Sequence, residues 1–382
     1  MDSNYRRDRG HGGGGGHHYN QKRKQPEDDS GIATIVANHY NSINNKDISE
    51  RAKSRIYHMR NFNNWIKSII IRDTIAYLRA DHNSNMTEEQ KKAMPFVVLD
   101  LGCGKGGDLI KFQKSSITHL VCCDIASISI EHCKDRFTSM NTKNYTAEFI
   151  NLDATRNRIR DKLTDPDRLI DMTSCQFSFH YCFESYEQAR MMVQNAAESL
   201  KIGGIFCGTI PDSLEIMKRL KNSGTNTYGN DVYSISFPKP YEELVKEGIP
   251  LFGAKYDFHL DEVVDCPEFL VYFPVFVEIC RSFGLQLLLC KRFDEFFTEN
   301  YKTDKDNFAL MNYMDALEKY PPKVNEKMSG TGGDDYRHVR EFLARDESSK
   351  KSTTFGTLSK SEWEAVTLYL VFSFKKVANG PI

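Results

Sequence analysis

Between Phe96 and Ile210 short apolar runs alternate with stretches of helical periodicity, and this alternation constrains the fold more than any other feature of the chain. "FVVLDLG" is followed by "GDLIKFQKS", "THLVCCDIA" by "SISIEHCKDRFTSM", and then comes "YTAEFINLDAT". After a linker stand "RLIDMTSCQF", the helical "ESYEQARMMVQNAAESL" and "KIGGIFCGTI". Parallel strands cannot be joined by a tight turn, so each intervening helix must carry the chain back to the start of the next strand. The rhythm therefore predicts an α/β fold, a mostly parallel sheet with helices on both faces. Apolar residues make up 40% of the chain and aromatics 12%, ample for the core such a sheet needs.

The flanks read differently. Residues 1–30 hold almost no apolar side chains and a run of five glycines. They cannot bury enough surface to offset their ordering entropy, and a disordered tail is expected. "KRK" at 22–24 reads as a weak nuclear import signal or, equally, as a solvated charge run. From Ile32 the pattern turns helical, and the stretch from Arg55 to Ala80 puts Ile56, Met59, Phe62, Ile66, Ile69 and Ile70 on one stripe. Residues 212–262 break the α/β rhythm: "DVYSISF" and "AKYDFHL" predict two strands flanking a loop, a small β-containing lid insert. "PEFLVYFPVFVEICRSFG" predicts a helix and "LQLLLCKRFDEFF" a strand; residues 300–357 read as a variable polar insertion, and "EAVTLYLVFSFKKV" closes the chain as a strand.

Composition narrows the classes. The apolar stretch from Phe269 to Cys280 is too short to span a bilayer and is broken by Pro274, so no membrane association is expected. The N-terminus is polar and glycine-rich, unlike a signal peptide. Ten cysteines scatter from Cys103 to Cys290 with none in a C-x-x-C pair, so neither a disulfide framework nor a metal site is expected. Net charge is −1, whereas a protein that grips long nucleic acid carries a basic excess. Any nucleic-acid contact should lie on a local basic track or at an end.

"VVLDLGCGKGGD", Val97 to Asp108, contains G-x-G-x-x-G directly after an apolar run. Glycines there permit a tight strand-to-helix turn and close approach of a ligand to the backbone. The pattern alone does not choose between a dinucleotide and another adenosine-bearing cofactor. Asp100 sits at the strand end, where a carboxylate is a poor neighbour for pyrophosphate but attracts the ammonium and sulfonium of S-adenosylmethionine. Asp124 ends the next strand, placed to accept both ribose hydroxyls. Asp153, in "INLDAT", ends the third.

"LDLGCGKGGD" as a whole resembles motif I of class I S-adenosylmethionine-dependent methyltransferases. That resemblance implies a doubly wound seven-stranded sheet closed by an antiparallel strand pair. "RNFNNWIKS", "DLGCGKGGDL", "CQFSFHYCFES", "CPEFLVYFP" and "TLSKSEWEA", in this order, look more narrowly like the eukaryotic mRNA cap (guanine-N7) methyltransferases, over about residues 35–377. The likeness implies one catalytic domain over residues 31–382, acting on the capped 5′ end of mRNA in the nucleus. It further implies S-adenosylmethionine as methyl donor, S-adenosylhomocysteine as product and, in animal members, a small activating subunit beside the capping or transcription machinery.

Roles carry over position by position. Lys67, Gly102, Asp124, Asp153, Gln176 and Tyr181 match positions around the methyl donor, with Asp100 and Gly104 added from the loop's own chemistry. Asn63 and Asn64 match a cap-contacting pair; Lys105, Lys111 and Arg136 match basic positions near the cap phosphates; His180, Tyr181, Glu268 and Tyr369 match the guanosine pocket. Guanine N7 carries a free lone pair and no proton, so its methylation needs no general base, and the sequence offers no obvious base-plus-orienter pair. Positioning and electrostatics should do the work, with His180, Tyr181 and Glu268 as positioning groups.

Each residue taken singly has an ordinary explanation. Asn63 and Asn64 could be exposed helix positions, Tyr181 and Tyr369 core aromatics, His180 a packed histidine, and Lys111 and Arg136 solvated charges. Glu268, after Pro267, reads as a carboxylate at a helix N-terminus. Asp212, where the family commonly carries Asn, and the long "KPYEELVKEG" loop at 239–248 bear on lid closure. Two rival functions remain at this level: a methyltransferase with a small-molecule or protein acceptor, and an RNA-binding module without turnover.

Overall fold

A computed structural model describes residues 31–380 except 43–49, 51, 82–85, 88, 91–93, 324–326 and 346–353; the expected disordered tail lies outside the described residues. The α/β stretch folds as its rhythm demands. With strands numbered in chain order, β1 (Val97–Leu101), β2 (His119–Asp124), β3 (Thr146–Asn151), β4 (Ile170–Gln176) and β5 (Leu200–Pro211) are mutually parallel. Strand β4 is buried along its whole length, the signature of a parallel strand covered on both faces.

The insert after β5 forms its own sheet from β6 (Thr227–Gly229), β7 (Tyr233–Ser236), β8 (Lys255–Leu260) and β9 (Val264–Phe269). Beyond it come β10 (Leu285–Arg292), the short pair β11 (Glu318–Tyr320) and β12 (Phe355–Thr357), and the final β13 (Tyr369–Lys376). The main sheet runs β10-β13-β5-β4-β1-β2-β3, with β13 antiparallel to both neighbours. Among the described residues no helix is long and apolar enough to cross a membrane.

Helices α1 (Ile32–Ser42) and α2 (Tyr57–Asp81) precede the sheet among the described residues. The whole predicted stripe of α2, from Ile56 to Ile70, is buried. Trp65 is buried with it and its indole N–H donates to the Asn307 carbonyl at 2.9 Å, the polar handle that lets a tryptophan go fully inside.

Three expectations change. The insert is a four-stranded antiparallel sheet running to Phe269, past the 262 boundary, so Pro267 and Glu268 lie on β9 rather than at a helix start. Val264, Cys266 and Glu268 point inward in strict alternation, and β9 is the sheet edge, where a proline is tolerated because it owes no ladder hydrogen bond. The helix begins only at Phe273. The strand predicted over "LQLLLCKRFDEFF" stops at Arg292; the Glu295 side chain accepts from the Arg292 N–H and starts a helix at Phe293. The 300–357 insertion carries helices Lys305–Tyr313 and Arg337–Arg345 besides β11 and β12.

Glu215, buried in the first turn of helix Ser213–Ser223, ties the insert to the main sheet. It accepts from Arg292 at 2.7 Å and from Arg219 at 2.9 Å, and both arginines also reach Thr367 ahead of β13. Burial pushes its carboxyl up, but the hydrogen bonds from Arg292, Arg219 and Lys218 outweigh this and hold it down to about 2. A depressed folded-state value means stability that is present above the ordinary carboxylate range and lost on acidification. Glu215→Gln should therefore lower unfolding free energy by about 1–3 kcal/mol near neutral pH. Urea melts should find the gap between variant and wild type closing as pH falls from about 4.5 to about 2.

Candidate active site

Strand order reverses between β4 and β1, and the crevice outside the carboxyl ends of strands at such a point is where doubly wound sheets bind ligands. The two strand ends are laced together there, Ser178 Oγ donating to the Leu101 carbonyl at 3.2 Å. Phe177 holds φ at +58° although it is not glycine, a strain of about 1–3 kcal/mol of the kind concentrated at ligand sites. Gly102, at φ +69°, lies so close to this lacing that a Cβ would stand 2.2 Å from Ser178 Oγ. Gly104, at φ +51°, would meet nothing within 4 Å. Gly102→Ala should cost about 2–4 kcal/mol, the sum of backbone strain and overpacking, while Gly104→Ala should cost only the strain, about 1 kcal/mol. Thermal denaturation of the two variants checks the contrast.

A cleft of about 370 Å³ opens at this edge. Its near wall carries Gly102, Gly104, Asp124, Asp153, Gln176 and Lys67. Asp124 accepts from the N–H of Gly104 at 2.8 Å and of Ala126 at 2.9 Å. Burial pushes its carboxyl above the usual range, and those backbone donors counter the effect without cancelling it. Asp153 accepts from the backbone and hydroxyl of Thr155. Gln176 is fixed at both ends, its amide donating to Ser174 and its oxygen accepting from Thr209.

The far wall carries His180, Tyr181, Glu268 and Tyr369. Glu268 is 3% exposed and accepts from the buried Tyr256 hydroxyl at 2.7 Å. Its other oxygen lies 3.2 Å from His180 Nε2, yet neither ring nitrogen of His180 makes a hydrogen bond. The expectation that no base-plus-orienter pair would exist thus meets a histidine and a carboxylate side by side. Tyr181 pairs its hydroxyl with that of Tyr40 at 3.1 Å. Burial first, and the nearby Glu268 carboxylate, push Tyr181, Tyr256 and Tyr369 well above the usual phenol range, so all three stay protonated.

Asn63 and Asn64 both line the cleft from α2. The Asn63 amide oxygen is buried without a partner, as are the His180 nitrogens. Buried polar atoms left unsatisfied cost free energy, which makes these atoms candidates for contact with a polar ligand.

Asp100, Lys105, Lys111 and Arg136 do not form part of the cleft wall among its lining residues. Asp100 is 3% exposed, and burial, then the neighbouring Asp108, push its carboxyl well up, which opposes the charge expected of it. Asp108, which also lies outside the cleft wall, is the carboxylate that pairs with cations at the loop. Burial pushes its carboxyl up, but Lys111 and Lys67, 2.7 and 2.8 Å from Oδ1, hold it below the usual range. Lys111 also donates to Asn64 Oδ1 and to the Gly107 carbonyl, and Arg136 to the Gly106 carbonyl at 3.2 Å, so both basic residues brace the glycine loop. Lys105 is half-buried on that loop.

Sequence reading expected a helix from Ile32 but missed that it adds Ile32, Val36 and Tyr40 to the cleft, and it missed Tyr256. Tyr256 stands directly opposite Glu268 in the β8–β9 pair, a register that local sequence does not reveal. Among the described residues the one group of three side chains able to share a metal ion is Cys103, Cys122 and Cys133, none of which lines the cleft.

A seven-stranded sheet with an antiparallel strand between the fifth and sixth, a glycine loop after its first strand, a carboxylate ending the second and another two residues beyond the third define a class I methyltransferase. The chain belongs, within that class, to the mRNA (guanine-N(7))-methyltransferase domain family, whose profile matches residues 22–377. It is 43% identical over 355 residues to the mRNA cap guanine-N(7) methyltransferase of Drosophila melanogaster, covering 90% of this chain and 77% of the relative. The Caenorhabditis elegans relative of the same name is 39% identical over 345 residues, covering 89% of this chain and 86% of its own length. The one from Schizosaccharomyces pombe is 34% identical over 321 residues, covering 83% and 82%.

Proposed function

We propose that the cleft carries out the reaction of this family, methyl transfer from S-adenosylmethionine to N7 of the guanosine cap of mRNA, with the donor on the near wall and the cap base on the far wall. The observation that carries this division is the element each carboxylate comes from. Asp124 ends β2 and Asp153 follows β3 in the main sheet, whereas the buried Glu268, backed by Tyr256, comes from β9 of the insert sheet.

The residues present suit the donor. Asp124 and Asp153 keep lone pairs beyond those their protein donors use, and Ile125, Leu152, Ala154 and Phe177 supply an apolar bed for adenine. S-adenosylmethionine supplies a methyl group on a positively charged sulfur.

This chain supplies position and field. Glu268 accepts from the N1–H and exocyclic amine of guanine, a donor pair that adenine lacks. Tyr256 keeps that carboxylate from rotating. Tyr181 and Tyr369 pack the ring. His180 beside Glu268 has no proton to remove, because N7 carries none, and it serves as a polar contact. Holding N7 in line contributes on the order of 7–11 kcal/mol in favourable systems. Lys67, which lines the cleft, and Lys111 set two ammonium groups against the one carboxylate of Asp108, which leaves positive charge beside the cleft for the triphosphate bridge.

Residues 31–382 act as one catalytic unit in this reading, in the nucleus where transcripts are capped, with any activating subunit bound outside the cleft. Radiolabelled methyl transfer to GpppA and GpppG, with none to m⁷GpppG, is the expected result. Transfer to none of them by folded protein overturns the reading. Removing residues 1–30 should leave the rate on GpppA within about twofold, since none of the cleft's lining residues lies in that stretch.

A further inference from the structure

Under the glycine loop three thiols converge from three elements. Cys103 comes from the loop, Cys122 from β2 and Cys133 from helix Ser127–Thr138, and their sulfurs all lie within 4.8 Å of one another. All three are buried, and none belongs to the cleft wall. Their sequence separation hides the grouping; only the pairing of β1 with β2 and the return of the helix over the loop bring them together. The loop rests on this cluster: a Cβ on Gly106 would stand 2.9 Å from Cys133 Sγ. Arg136, one turn further along the same helix, donates to the Gly106 carbonyl above it.

Thiolates select soft cations over Mg²⁺ or Ca²⁺, which take oxygen ligands. Three sulfurs about 2.3 Å from a shared ion in a trigonal plane would stand about 4 Å apart, a spacing within what the cluster already has. Structural zinc usually takes four ligands, so three sulfurs in a dry pocket favour a lower-coordinate ion.

We propose that Cys103, Cys122 and Cys133 form a binding site for a thiophilic monovalent d¹⁰ cation, of which Cu(I) is the type. Bonds form from each sulfur to the ion. The thiols still protonated release their protons to solvent, and neither metal nor sulfur changes oxidation state. Occupancy ties the glycine loop to β2 and to the helix behind it.

The test uses the full chain, kept reduced and anaerobic, competing with bicinchoninate for Cu(I). The expected result is transfer of one equivalent, with a thiolate-to-copper charge-transfer band in the ultraviolet and a rise in melting temperature from binding to the folded state. Cys133→Ser should weaken capture at least about tenfold, and Cys290→Ser, which removes the exposed thiol, should leave it unchanged. Cys103→Ser, on the loop rather than in the packed helix, provides a second arm should Cys133→Ser fail to fold, with S-adenosylhomocysteine binding as the folding control. No transfer to wild-type protein overturns the proposal, as does equal transfer to the folded Cys103→Ser chain.

Discussion

Glu268→Gln should lower kcat/KM for GpppA by roughly 100-fold while leaving the Kd for S-adenosylhomocysteine within about twofold. The carboxylate is an acceptor on every side: Tyr256 donates to one oxygen at 2.7 Å, and the cleft is left to supply the rest. A glutamine keeps the volume but turns one acceptor into an NH₂ donor. That donor must then face either the Tyr256 hydroxyl or the guanine N–H groups, and a mispaired buried donor costs about 1–3 kcal/mol. At about 1.4 kcal/mol per decade this is roughly 5- to 150-fold; if the Tyr256 hydroxyl turns to accept from the amide, its own buried proton loses its acceptor, so the cost is moved rather than removed. The donor site should not notice, since Asp124 and Asp153 are held by β2, β3 and their own backbone donors, none of which involves Glu268. An inosine cap, which lacks the exocyclic amine, sharpens the experiment. Wild type should discriminate against it by about tenfold or more, and the variant should discriminate far less. Equal losses in cap turnover and S-adenosylhomocysteine affinity would show that Glu268 supports the fold rather than the base.

The architecture was legible because parallel strands leave a coarse signal, a buried apolar run followed by a helix of one-sided stripe. Val97–Leu101, His119–Asp124 and Ile170–Gln176 all announce themselves in this way, as does the Ile56–Ile70 stripe of α2. The insert was less legible since its strands are three to six residues long and amphipathic, and Pro267 imitates a helix start. Only the pairing Tyr256↔Glu268, a long-range register, shows that the glutamate is on a strand and has a partner. The acidic residues around the glycine loop were found as types but misassigned in part. Asp100 and Asp108 are both carboxylates at the loop, and local sequence does not reveal that two lysines, one of them from α2, choose Asp108. The three converging thiols are the extreme case, invisible to spacing because each lies on a different element.

Asp124→Ala should weaken S-adenosylhomocysteine at least about 100-fold and raise KM for the methyl donor far more than it lowers kcat at saturation. The carboxylate has two tasks at once. It holds the N–H of Gly104, and so the shape of the glycine loop, and it holds the N–H of Ala126 at the start of the next helix. Its remaining lone pairs are the acceptors a ribose diol needs. Removing it deletes charge-assisted contacts to the ligand, each worth about 1.5–3 kcal/mol, and leaves two backbone donors to find new partners. The cap wall is untouched, so once donor concentration overcomes the weaker affinity the chemistry should proceed, the reverse of the pattern expected for Glu268. Acid dependence supplies an independent check. Burial raises the Asp124 carboxyl, and only its ionised form accepts from both ribose hydroxyls, so loss of affinity on acidification should begin above the ordinary aspartate value of about 3.9. In the alanine variant that acid limb should vanish from a calorimetric titration of S-adenosylhomocysteine against pH, whereas Glu268→Gln should retain it. Persistence of the limb in Asp124→Ala would mean that another buried group in the cleft, and not this carboxylate, governs the donor site.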